Sequence, residues 1–197
     1  MTRKEQIFKI TLTAVLTALT VVIAFLPIRT LGLEITLTVI PIAVGAIIGG
    51  KYVGLFLGTA FGVTSYLQCL GYSPFGLMMF QINPYLTFLV CVPTRMLAGF
   101  LTGYVNELIV KFNKKEIANI VACVMMPILN TLLFMSVLVI CFYNTEYIQG
   151  FVGKLNALNP VHFIILFVGI NGLVEIIVGI LVSFPTVKAL QHSLRIK

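Results

Sequence analysis

Aspartate is absent from this 197-residue sequence, and so is tryptophan. Without aspartate there is no Asp-based metal or phosphoryl-transfer site. None of the patterns G-x-x-x-x-G-K-S/T, H-E-x-x-H or G-x-S-x-G occurs. That removes P-loop, zinc-hydrolase and serine-elbow chemistry. The two histidines, His162 and His192, have no His, Cys or Asp placed to share a metal, and none is assigned. The four cysteines (Cys69, Cys91, Cys123, Cys141) form no C-x-x-C pair. They sit in or at the ends of apolar runs, where cysteine packs as a small apolar side chain. Nothing here points to an enzyme, and no cofactor is implied.

Charge is the other scarcity: 10% of residues are charged, against about 25% in a soluble domain. With 59% hydrophobic residues and a mean hydropathy of +1.09, the chain lacks the polar surface to face water, and its solvent must be lipid. The net charge of +7 does not indicate nucleic acid, because the basic residues are dispersed over short segments between apolar runs. The first apolar run is too long for a signal-peptide core and has Arg3, Lys4 and Lys9 at its start, so it reads as a retained span.

What is present predicts one all-α integral membrane domain over residues 1–197 with six transmembrane helices. The spans run over Ile7–Leu26, Ile35–Gly50, Tyr52–Leu70, Asn83–Leu108, Ile117–Tyr143 and Asn159–Val187, the second being marginal in length. Ten basic residues (Arg3, Lys4, Lys9, Lys51, Lys111, Lys114, Lys115, Lys188, Arg195, Lys197) fall on one side, and Arg29 and Lys154 on the other. The positive-inside rule then puts both termini in the cytoplasm. Three longer outer links remain: Pro27–Glu34, Gly71–Gln81 and Asn144–Leu158. Structured loops of that length read as functional or lid-like.

Small residues and polar residues separate along the chain. Gly50, Gly54, Gly58 and Gly62 recur every fourth residue on one face of the third span, and Ala14 and Ala18 repeat that spacing in the first. Such stripes let helix backbones approach closely in lipid, within the chain or against a partner. Residues 1–70 thus read as a smooth docking half and residues 71–197 as a polar half.

In that second half Asn83-Pro84 and Asn159-Pro160 mark helix starts, with Asn as cap and Pro at the first helical position. At about 1.5 Å per residue, Arg95, Asn130 and Asn171 each lie roughly 18–20 Å below the outer end, and Glu175 roughly 24 Å. A charge at that depth is a functional candidate by default. Two accounts compete: Glu175 neutralises Arg95 with Asn130 and Asn171 completing the hydrogen bonds, or an anionic or polar ligand shares that network. Pro93 and Pro127 would each free a carbonyl as an extra partner. Gln68, Asn83, Tyr85 and Asn159 stand at the outer end as candidates for the upper wall, or as caps and interfacial anchors.

The segments "AVLTAL", "TVIPIAVGAIIGGKYVGLFLGTAFG" and "INPYLTFLVCVPTRMLAGFLTG" resemble the substrate-binding S component of energy-coupling factor (ECF) transporters, bacterial vitamin importers. The resemblance covers nearly the whole chain. It implies a subunit of the cell membrane that binds a vitamin from outside and docks on a membrane coupling subunit carrying two ATPases. It further implies that Ala14 and Ala18 form the docking motif, that the substrate site lies in the second half, that Gly71–Gln81 belongs to a lid, and that the protein topples to release its load. "VPTR" and "NGLVE" look most like the subgroup handling pantothenate, hydroxymethylpyrimidine or pyridoxine-like compounds. A flavin or pteridine calls for large aromatic faces. A flexible carboxylate with hydroxyls and an amide suits Arg95, Asn130 and Asn171 better, which favours pantothenate. Rival readings are a stand-alone secondary transporter with Glu175 as proton carrier, and a membrane scaffold with a purely structural polar cluster.

Overall fold

The computed structural model describes residues 3–26, 29–30, 33–34 and 36–193. The order is α1 (Arg3–Ala24), a hairpin of β1 (Arg29–Thr30) and β2 (Leu33–Glu34), α2 (Val39–Gly49), α3 (Lys51–Gln68), α4 (Pro74–Ile82), α5 (Pro84–Val110), α6 (Lys115–Phe142), α7 (Glu146–Lys154), α8 (Pro160–Val178), a π-helical turn (Gly179–Ser183) and α9 (Phe184–Ser193). The two strands pair antiparallel with Arg29 opposite Glu34. The basic residues Arg195 and Lys197, used above for orientation, lie outside the described residues.

Helix starts follow the capping chemistry. Asn83 Oδ1 accepts from the backbone N–H groups of Tyr85 (3.0 Å) and Leu86 (3.1 Å), and Pro84 fills the position whose N–H would have no partner. Asn159 Oδ1 accepts from His162 N at 2.7 Å, ahead of Pro160. Gly50, at φ 92°, ends α2 and turns directly into α3.

Four described helices are long and apolar enough to cross a bilayer: Gln6–Ala24, Pro84–Val110, Lys115–Phe142 and Asn171–Ser193. Of the six expected spans, three differ from a long continuous apolar helix, the second having been read as marginal already. α2 has 11 residues, about 16 Å at the helical rise, roughly half a hydrocarbon core. α3 has 18 residues, but its glycines together with Thr59, Thr64, Ser65 and Gln68 dilute its apolar character. The last expected span is broken, because Gly169 sits at φ 40°, ψ −126°, and the helix then widens into the π turn. Two outer links are also corrected. Most of Gly71–Gln81 is α4, started by Ser73-Pro74, and most of Asn144–Leu158 is α7, started by Thr145.

The glycine stripe packs inside the chain. A Cβ on Gly54 would strike the Gly99 carbonyl, one on Gly58 the Arg95 carbonyl, and one on Gly62 would lie 2.8 Å from Val92 Cα. α3 and α5 are therefore in backbone contact along the stripe, which fixes Arg95 relative to α3. Ala14 and Ala18 instead lie on the exposed face of α1. At the end where α3 and α6 finish, α4, α7 and α8 are joined by an aromatic cluster. In it Phe75 meets Phe167 at 5.6 Å and Tyr147 at 5.8 Å between ring centroids.

Candidate functional site

Below that aromatic cluster lies a cavity of about 120 Å³. Its polar lining comes from six places: Thr36 and Thr38 ahead of α2, Ser65 and Gln68 on α3, Ser73 ahead of α4, Arg95 on α5, Asn130 and Thr131 on α6, and Asn171 and Glu175 on α8. The cavity wall brings together Arg95, Asn130, Asn171 and Glu175, which helical rise places at similar depth, and Gln68, expected at the outer end. It is not confined to residues 71–197, since α1, α3 and the segment before α2 also form part of it. Asn83 and Tyr85 do not line the cavity. The Asn83 side chain is spent on capping α5, and Tyr85 is 85% exposed.

Arg95 is 5% exposed, and its partners differ from those expected. It makes no ion pair with Glu175. Its Nη1 donates to the Cys91 carbonyl at 3.1 Å. That is not the carbonyl of Leu89, which Pro93 deprives of its helical donor. The guanidinium carbon lies 4.6 Å from the ring centroids of both Phe61 on α3 and Phe134 on α6. Desolvated cation–π contacts are worth about 2 kcal/mol each. Two of them offset much of the several kcal/mol that burying the charge costs. Aromatic rings near Arg95 are therefore more numerous than the sequence suggests, with Phe61, Phe75 and Phe134 all in the cavity wall.

Glu175 turns elsewhere. Its Oε1 accepts from the Thr36 backbone N–H at 2.8 Å and from the Thr36 hydroxyl. It thereby ties α8 to the segment entering α2. Gln68 Nε2 similarly donates to the Ala24 carbonyl, linking α3 to the end of α1.

Among the described residues, the buried side-chain N and O atoms without a hydrogen-bond partner are Thr38 Oγ1, Arg95 Nε, Asn130 Oδ1 and Ser183 Oγ. The first three belong to residues of the cavity wall. Leaving such groups unpaired costs about 1–3 kcal/mol each. These three are a hydroxyl ahead of α2, a donor on α5 and an acceptor on α6, in three residues that line one cavity. Sequence reasoning missed Thr36, Thr38, Phe61 and Phe134. Phe134 was within reach, because it follows Asn130 by four residues and shares its helix face.

A bundle of apolar helices around a cavity with polar and apolar lining is the architecture of a multi-pass membrane protein. Residues 8–187 match the family described as ECF transporter, substrate-specific component, and the chain belongs to that family. It is a substrate-binding transporter subunit and not an enzyme, and the family implies a substrate and an ECF module as partners. No curated protein matches the chain.

Proposed function

We propose that this chain is the high-affinity vitamin-binding subunit of a bacterial ATP-driven ECF importer. It spans the cell membrane six times, with both termini cytoplasmic and the cavity entered from the outer face. Arg95, Asn130, Asn171, Glu175 and Gln68 hold the substrate. Asn83 and Tyr85 act only as cap and interfacial anchor. Ala14 and Ala18, exposed on α1, meet the coupling subunit, to which two ATPases attach. The observation that supports the site is that three residues of one cavity wall each keep an unpaired buried polar atom: Thr38 Oγ1, Arg95 Nε and Asn130 Oδ1.

Pantothenate is the first candidate, its carboxylate on Arg95 and its amide and hydroxyls on the asparagines and Glu175. A single-ring vitamin, hydroxymethylpyrimidine or a pyridoxine-like compound, is the second reading. It is favoured by the cavity of about 120 Å³ and its phenylalanine lining. Thermal-shift titration of the purified protein with all three compounds separates the readings. Uptake by reconstituted vesicles tests the transport mode: dependence on the coupling subunit and ATPases supports the ECF reading. Uptake by the isolated chain on a pH gradient, abolished by Glu175→Gln, would establish the secondary transporter instead.

A further inference from the structure

We propose that Cys69 and Cys91 form an oxidisable thiol pair, a modification site in the cavity wall at which a disulfide pins the end of α3 to α5. The two sulfurs lie 4.0 Å apart, and the residues are 3% and 1% exposed. Both belong to the cavity lining. They sit on different helices, so the fold, rather than local spacing, brings them together. A disulfide holds its sulfurs about 2.05 Å apart, so closure asks for an approach of roughly 2 Å. The backbone can supply it on one side. Cys69 caps the end of α3, two residues before Gly71, whose φ of 152° belongs to the turn into α4. Cys91 is held inside α5. The remaining thiols, Cys123 and Cys141, are not part of the cavity wall.

The oxidant is a small peroxide that enters through the cavity. One thiolate attacks the peroxide oxygen, the O–O bond breaks, and an alcohol or water leaves, giving a sulfenic acid. The second thiol attacks that sulfur, forming the S–S bond and releasing water. Two thiols are oxidised by two electrons and the peroxide is reduced by two. Cys69 directly follows Gln68, and Cys91 lies one helical turn before Arg95. With α5 held, the link shifts the end of α3 and Gln68 relative to Arg95 and couples the cavity's shape to the redox state outside the membrane.

The test uses the full-length protein in detergent. It is exposed to hydrogen peroxide while folded, then denatured, alkylated with iodoacetamide, digested and analysed by mass spectrometry. The expected result is a peptide pair joined through Cys69 and Cys91, two hydrogens lighter than its parts and released by dithiothreitol. Cys123 and Cys141 remain alkylated. The pair is absent from Cys91→Ala and, should that variant fail to fold, from Cys69→Ser at the helix end. Recovery of Cys69 and Cys91 fully alkylated from folded, peroxide-treated protein overturns the proposal, and so does a link that joins two chains. No substrate enters this measurement, so its failure leaves the vitamin-binding reading standing.

Discussion

The two ends of the helix bundle hold polar clusters of opposite kinds. At the α2–α3 turn, Lys51 pairs with Glu107 at 3.1 Å, and its backbone N–H donates to the same carboxylate at 3.0 Å. Nearby, Asn106 donates to Asn119 (3.4 Å) and Asn119 to Gln191 (3.1 Å), joining α5, α6 and α9. These groups satisfy one another. At the other end, Arg95, Asn130 and Thr38 keep unpaired atoms around a cavity. Buried polar groups are normally paired, and each exception calls for an explanation. The contrast teaches that buried polarity alone does not mark a site. Unpaired polarity in residues of a cavity wall makes a candidate.

The small-residue stripes differ in the same way. Gly54, Gly58 and Gly62 are used up against α5, while Ala14 and Ala18 face outward. The largest expected effect comes from breaking the internal stripe. Gly58→Leu drives a side chain into the Arg95 carbonyl and costs about 3 kcal/mol, at the upper end of overpacking. A fall in the unfolding midpoint in detergent reads it. Retention of wild-type stability would mean that α3 and α5 are not in backbone contact.

The sharpest use of the comparison is a pair of matched changes. Asn119→Leu strands Gln191 and Asn106, so it lowers stability by about 1–3 kcal/mol and leaves ligand affinity alone. Asn130→Leu removes an acceptor that has no partner, so it leaves stability unchanged or raised by about 1 kcal/mol while weakening ligand binding about tenfold. Thermal unfolding with and without vitamin measures both. The reverse pattern would exchange the roles of the two clusters.

Ala14→Trp has the smallest effect on the chain itself. It leaves unfolding midpoint and binding as they are, because the position is exposed. Uptake in vesicles with the coupling subunit and ATPases is lost, since bulk there prevents close helix approach. Equal loss of binding would place Ala14 in the fold instead of the dock.

How much of this was legible follows from which physics is local. The starts of α5 and α8 were readable because Asn-Pro fixes a cap and a first turn. The convergence of Arg95, Asn130, Asn171 and Glu175 was readable because helical rise converts sequence distance into depth. Ser73-Pro74 starts α4 in the same manner, yet Gly71 and Gly76 made the segment look like a loop. The Thr36–Glu175 contact joins residues 139 apart, and no periodicity reports it. The setting of Arg95 between phenylalanines of α3 and α6 depends on how close the glycines bring α3 to α5 and on how α6 packs beside them, which is a tertiary fact. The break at Gly169 was hidden in an unbroken apolar run, because hydropathy does not encode φ.

The central claim is that the polar surplus around Arg95 exists for a solute. Its most direct test is mass spectrometry of the small molecules released on denaturing purified wild-type protein and the double variant Arg95→Met with Glu175→Leu. That variant removes both charges together, so neither is left buried alone. The account predicts a vitamin at near-stoichiometric amount from the wild type and none from the folded double variant. The same molecule in equal amount from both would contradict it.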